Sequence, residues 1–72
     1  MISDFRVQIA SVSDRAKLVA EIYYKGEYLG ELNQDGPCLA IEIYPNPSGE
    51  PWRLELAELM KVLDDAGKDL RT

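Results

Sequence analysis

The sequence has no histidine, and chemistry that depends on an imidazole is disfavoured from the outset. Imidazole is the commonest general base near neutral pH and the usual transition-metal ligand. Cys38 is the only cysteine, so the chain can form no internal disulfide and no cysteine cluster for a metal. Because no histidine could activate it, we interpret Cys38 as a small, partly buried residue at a strand start. The sequence therefore predicts a protein that is not an enzyme and that uses no cofactor and no metal.

Long apolar runs and clusters of positive charge are also missing. No stretch approaches the ~20 apolar residues of a membrane span, and the amino terminus lacks a basic region followed by an apolar segment. Thirteen acidic and eight basic side chains give a net charge of −5. This charge disfavours nucleic acid, since neutralising phosphates requires clustered Lys and Arg. We expect a cytoplasmic protein that binds neither nucleic acid nor membrane and favours a partner with a basic surface.

The residues that are present describe one small globular domain. The chain has 72 residues, of which 46% are hydrophobic and 29% are charged, as is typical of folded proteins. This length is near the lower limit at which a single hydrophobic core suffices without metal or disulfides. We therefore expect residues 1–72 to form one domain.

Residues 18–32 predict a β-hairpin around which the rest of the chain is organised. Their β-branched, aromatic and aliphatic side chains are interrupted at Lys25-Gly26, where the chain must reverse. A two-residue loop there would place Ala20 opposite Glu31, which mixes core with surface. A three-residue loop that begins at Tyr24, with a bulge at Gly26, makes one face wholly apolar, and we therefore prefer it. That register pairs Ile22 with Tyr28, Ala20 with Gly30 and Leu18 with Leu32.

Further strands and one helix surround this hairpin. Apolar residues alternate with polar ones over residues 5–10 and 39–44, which predicts a strand on each side of the hairpin. Turn residues at 11–15 and 33–37 would connect these strands as a meander. The segment Pro45–Pro51 predicts a loop, either a rigid connector or a binding loop. Residues 52–55 fit a strand or a helix start, and we assign a short strand.

A C-terminal helix begins at Leu56. Apolar residues recur at helical spacing along one side of it, while Gly67 lowers helix propensity enough for the final turn to fray. The predicted fold is α+β: an antiparallel meander of four to five strands with one C-terminal α-helix packed on one face. The apolar side of the helix is predicted to consist of Leu56, Leu59, Met60, Leu63 and Leu70.

The opposite face of the sheet is the candidate site, because one helix of this size cannot cover both faces. The alternative interpretation is that this face is the ordinary solvated side of an antiparallel sheet and has no binding role. Aromatic residues beside carboxylates are also how a protein surface recognises a basic partner. The predicted partner-binding residues are Glu21, Tyr23, Glu27, Leu29, Glu31, Glu42 and Tyr44.

Several segments of the chain carry a resemblance to known proteins. The run from Leu18 to Glu27, Ile41-Glu42-Ile43 and the terminal Leu63-Asp64-Asp65-Ala66 together resemble a group of short uncharacterised bacterial proteins. In size and acidity the chain also looks like the immunity proteins that neutralise bacterial toxins. The resemblance implies a role in binding and carries over no individual binding or catalytic residue.

The leading hypothesis from the sequence is a small acidic protein-binding module, an immunity protein that occludes a toxin by direct binding. Tyrosines would anchor the contact and carboxylates would steer a basic toxin domain into place. The alternative is a structural homodimer, built through the same face or an edge strand, or a regulatory adaptor without a toxin partner. An acidic mimic of DNA is disfavoured, because lysines and arginines are interspersed along the chain.

Overall fold

The structure, a computed structural model, describes residues 4–12 and 17–71. In these residues four strands form one antiparallel sheet in the order β1-β2-β3-β4, and one helix follows them. The elements are β1 (Phe5–Ala10), β2 (Val19–Tyr24), β3 (Glu27–Asn33), β4 (Ala40–Ile43) and α1 (Leu56–Arg71). The predicted α+β meander is confirmed. Of the turn predicted over residues 11–15, residues 13–15 lie outside the described part of the chain.

The β2–β3 hairpin has the two-residue loop, so the predicted three-residue loop is wrong. Tyr24 pairs directly with Glu27, and both loop residues have positive φ, 50° at Lys25 and 83° at Gly26. Positive φ at both central residues is the geometry of a type I′ turn, whose twist matches that of the flanking strands. The chain therefore reverses at Lys25-Gly26 alone.

A bulge in β3 resolves the conflict that had argued against this loop. Tyr23 pairs with Tyr28, but the next pair joins Ile22 to Gly30, so Leu29 is an extra residue on β3. Beyond the bulge Ala20 lies opposite Leu32, and core residues again meet core residues. The predicted pairs Ile22–Tyr28 and Ala20–Gly30 are therefore wrong, and Leu18 lies outside β2, half exposed at 49%.

Glycine is required at the bulge because β4 approaches closely. A Cβ on Gly30 would collide with the backbone carbonyl oxygen of Glu42 and come within 3.0 Å of the Ile43 Cα. A glycine inside a strand often marks such an approach. Gly30 therefore sets the register of β3 against both β2 and β4.

The core lies between the sheet and α1. In the described part of the chain α1 packs across β1, β2 and β3 but does not reach β4. Burial of apolar side chains between helix and sheet is the main favourable contribution to stability. The buried core residues are Ala20, Ile22, Leu29, Leu32, Ala66 and Leu70, and half-buried side chains such as Phe5, Val7 and Leu59 pack against them.

The buried stripe of α1 is displaced from the predicted one. Leu59, Leu63 and Leu70 pack into the core as predicted. Leu56 and Met60 do not, since they are 68% and 60% exposed. They lie on one flank of the helix, because the stripe that meets the sheet runs through positions 59, 62, 63, 66 and 70 at spacings of three and four.

Gly67 does not end the helix, which continues to Arg71, so the expected fraying of the last turn is not observed. Gly67 is buried, and a Cβ there would come within 3.1 Å of the Leu39 Cδ1 atom. The glycine lets α1 approach the segment that leads into β4.

Residues 52–55 form neither the predicted strand nor the start of the helix. Trp52 and Leu54 are half-buried and pack against the core. The Trp52 Nε1–H donates to the carbonyl oxygen of Tyr44 at 2.8 Å, which fastens this connection to the end of the sheet. Trp52 and Leu54 therefore hold residues 52–55 against the core through their side chains, and this segment does not pair with the sheet.

Candidate interaction face

The side of the sheet opposite α1, here called the outer face, carries two parallel rows of side chains. One is a tyrosine row of Tyr23, Tyr28 and Tyr44, and the other is a carboxylate row of Glu21, Glu31 and Glu42. Both rows cross β2 and β3 to the β4 side of the sheet. Side chains alternate between the faces of a strand, so each row occupies one position per strand. No described helix or strand lies on this face.

The tyrosine row is a continuous ladder of aromatic rings. The ring centroids of Tyr23 and Tyr28 are 5.2 Å apart, and those of Tyr28 and Tyr44 are also 5.2 Å apart, both pairs tilted. Such spacing is favourable for aromatic pairs. At the β1 end the Arg6 guanidinium carbon lies 4.4 Å from the Tyr23 ring centroid, which is a cation–π contact. The row can therefore bind a guanidinium on its ring faces.

The carboxylate row brings like charges together. Glu31 lies directly opposite both Glu21 and Glu42 in the sheet register. Like charges at directly opposing positions destabilise a sheet. Departures of this kind from local rules are typical of functional surfaces.

Neutral donors hold these carboxylates in place. The Tyr44 hydroxyl donates to Glu31 Oε1 at 2.7 Å, and the Asn33 amide donates to Glu42 Oε2 at 2.8 Å. The Tyr23 hydroxyl makes a longer contact of 3.5 Å with Glu21 Oε1. These contacts orient the three carboxylates on the outer face.

Tyr28 lies at the centre of the two rows, and its surroundings raise the pKa of its phenol well above the ordinary value. Burial is the largest cause, followed by the negative charge of Glu31 and by Tyr44, Glu21 and Tyr23. The phenol therefore stays protonated and remains a hydrogen-bond donor at any physiological pH.

The structure brings together five of the seven predicted partner-binding residues. On the outer face Glu42 is exposed, whereas Glu21, Tyr23 and Tyr44 are half-buried. Glu31 is only 7% exposed and can act through its charge more than by direct contact. At the end of the outer face away from the tyrosine row the side chains are inaccessible, since Val19 and Asn33 are only 1% and 5% exposed. The open part is therefore the tyrosine row with the carboxylates beside it.

The other two predicted residues do not belong to this face. Leu29 is fully buried in the core, because the bulge turns it toward α1. Glu27 pairs with Tyr24 on the helix side, where it lines a surface groove of about 400 Å³ with Tyr24 and Trp52. Both placements correct the prediction, and both follow from the register error at the hairpin.

Two residues of the outer face were missed from the sequence. Tyr28 was predicted to lie in the core, and Arg6 was not assigned a role. The signal for Tyr28 was Gly30, since a glycine inside a strand indicates a bulge that reverses the alternation before it. Arg6 is recognisable only once β1 is paired with β2, which places it opposite Tyr23.

Other chemistry in the described residues is sparse. Within residues 4–12 and 17–71, no three His, Cys, Asp or Glu side chains are grouped so as to hold a metal ion. Cys38 is exposed and precedes β4, so its predicted partial burial is wrong. No helix in the described part is long and apolar enough to cross a membrane.

No protein-family model matches the chain, and no curated protein or solved structure shows significant similarity to it. The similarity to immunity proteins therefore stays a prediction, and function is inferred from the geometry of the outer face.

Proposed function

We propose that this chain is a small acidic protein-binding module whose outer face docks the basic surface of another protein. The observation that carries the proposal is the pairing of the two rows: three tyrosines in ring-to-ring contact beside three carboxylates that oppose one another across the strands. Tyrosines supply burial and hydrogen bonding at low conformational cost, and carboxylates supply long-range attraction.

A basic partner would be attracted by the carboxylate row. An arginine or lysine placed beside Glu42, the exposed carboxylate of the row, would form a charge-assisted contact with it. The contact of Arg6 with Tyr23 supports this mode of recognition, because the chain itself already places a guanidinium on the tyrosine row. The net charge of −5 would also steer such a partner during encounter.

The partner we favour is a bacterial toxin domain, which the chain would neutralise in the cytoplasm as an immunity protein. A toxin that acts on an anionic substrate carries a basic substrate surface, and an acidic face is complementary to it. The small size and acidity of the chain fit a protein that acts by occupying a surface and performs no reaction of its own.

A structural homodimer is the second candidate. The observation in its favour is the edge strand β4, where Ile41 and Ile43 are 38% and 55% exposed. Apolar side chains on an unpaired edge are a common site of self-association. Light scattering at micromolar concentration separates the candidates, since a monomer of 8.1 kDa leaves the outer face free for another protein.

The function is tested by binding to the protein encoded beside this chain in its genome. Calorimetry would compare the wild type with a Glu21→Gln, Glu42→Gln double variant, which removes two charges from the outer face. We expect about 100-fold weaker binding, equivalent to about 2.7 kcal/mol. The matched control is Asp64→Asn with Asp65→Asn, which removes two charges from the exposed ion pairs of α1.

Equal effects of the two double variants would show that net charge, and not the outer face, governs binding. If the neighbouring protein binds but has no toxic activity, the result supports a protein-binding module and contradicts the immunity role.

A further inference from the structure

The free edge of β4 differs from every other part of the sheet. β4 pairs with β3 on one side, and no described strand pairs with its other side. The Tyr44 N–H donates to the carbonyl oxygen of Leu29 in β3 at 2.9 Å. Backbone groups alternate in direction along an antiparallel strand, so the N–H and C=O groups of Ile41 and Ile43 point away from β3. They form a template for one more strand.

The side chains that flank this edge differ between the two faces of the sheet. On the helix side α1 does not reach β4, and Ile41 and Ile43 stay 38% and 55% exposed. On the outer face the edge carries Glu42, the exposed end of the carboxylate row, with Tyr44 beyond the last paired residue. A strand laid against β4 would therefore meet apolar side chains on one side and negative charge on the other.

The opposite edge of the sheet differs in charge. On β1 the helix-side residues Phe5 and Val7 pack against the core, whereas Ile9 is 40% exposed, much as Ile41 is on β4. The outer face of β1 carries Arg6, which already occupies the end of the tyrosine row and would repel a basic strand. Charge therefore selects β4.

We propose that the basic partner binds by adding an extended segment to the free edge of β4. This inference rests on the proposed function and specifies its mode. The segment alternates basic with apolar residues, because side chains of the added strand must also alternate between the faces. Its basic residues continue the carboxylate row beside Glu42, and its apolar residues cover Ile41 and Ile43.

A second copy of the chain is a poorer occupant of this edge. Each copy has a net charge of −5, so a dimer would carry −10. Antiparallel pairing of two β4 strands would also bring both Glu42 side chains to the outer side of the same seam, where like charges repel. A basic segment converts the same position into an attractive contact.

The proposal is tested with an acetylated, amidated hexapeptide that alternates arginine with valine, added to the full chain. Amide hydrogen exchange of Ile41 and Ile43 is measured by NMR, since their N–H groups point outward in the free protein. We expect exchange of these two amides to slow by about tenfold at saturation. The Glu42 amide, which faces β3, is an internal reference and should change little.

Two matched peptides provide the controls. The same peptide with its valine nitrogens methylated keeps the charge but cannot pair through the valine backbone groups, which would oppose Ile41 and Ile43. It should protect neither amide. A peptide with three arginines followed by three valines keeps the composition and loses the alternation, and it should bind more weakly.

Three results would overturn the inference. If the tyrosine ring signals shift while exchange of Ile41 and Ile43 is unchanged, the segment docks on the outer face only, and the proposed function survives without strand addition. If neither signal changes at millimolar peptide, a segment of this chemistry does not pair with β4, whereas the neighbouring-protein test still decides the function. If protection depends on protein concentration without peptide, the occupant is a second copy.

Discussion

At the scale of single residues, the outer face depends on Tyr28, which joins the tyrosine row to the carboxylate row. Alternation along β2 and β4 was sufficient to place Glu21, Tyr23, Glu42 and Tyr44 from the sequence. Tyr28 could not be placed in this way, because it lies between the turn and the bulge, where alternation counted from the far end of β3 is reversed. The predicted and observed faces therefore differ because β3 contains one extra residue, Leu29, at the bulge.

The raised pKa of Tyr28 predicts that the protein loses stability at alkaline pH. Its pKa is raised in the folded protein by burial and by the nearby carboxylates, whereas an unfolded tyrosine titrates near its ordinary value of about 10. Above that pH the unfolded chain releases a proton that the folded chain retains, so stability falls as pH rises, by at most about 1.4 kcal/mol per pH unit.

Urea unfolding of the wild type and of Tyr28→Phe at pH 8 and near pH 11 measures this contribution. The variant should lose less stability between the two pH values than the wild type does. An equal loss in both proteins would show that Tyr28 does not retain its proton.

At the scale of elements, the bulge at Leu29-Gly30 fixes the register of three strands. The strands and the helix were predictable, since each has clear periodicity and the loops between them contain turn residues. The register was not, because a two-residue type I′ loop is compensated by a bulge further along β3, whereas alternation without that bulge favours a three-residue loop. The connection at residues 52–55 was mistaken for a strand because Trp52 and Leu54 alternate as strand residues do but pack on the core.

Gly30→Ala is expected to lower the free energy of unfolding by about 1–3 kcal/mol or more, since the new Cβ would push β4 away from β3. Gly36→Ala is the matched control, because a Cβ at Gly36 meets no atom within 4 Å. Urea unfolding of the two variants measures the difference. Equal stability of the two would contradict the close approach of β4 at the bulge.

Leu29→Ala tests the reassignment of Leu29 from the outer face to the core. Removing a fully buried leucine should cost about 2–5 kcal/mol. The control Leu56→Ala alters a side chain that is 68% exposed and should change stability by less than about 0.5 kcal/mol. Thermal unfolding of both variants gives the comparison, and a small effect at Leu29 would place that side chain at the surface.

At the scale of the whole molecule, a two-layer fold determines where a partner can bind. In the described part of the chain α1 covers β1, β2 and β3 from one side, and no other described helix or strand lies on the tyrosine row or pairs with the second edge of β4. The tyrosine row and the carboxylate row lie on the side opposite α1, whereas the core residues lie between the sheet and the helix. The chain thus separates the surface that stabilises it from the surface that we propose for recognition.

The most direct test of that separation is an NMR titration of the labelled chain with the protein encoded beside it. The account predicts that the ring signals of Tyr23, Tyr28 and Tyr44 shift together as the complex forms. The methyl signals of Leu56 and Met60, exposed on the helix side, should stay in place. Shifts at Leu56 and Met60 with unchanged tyrosine rings would contradict the account.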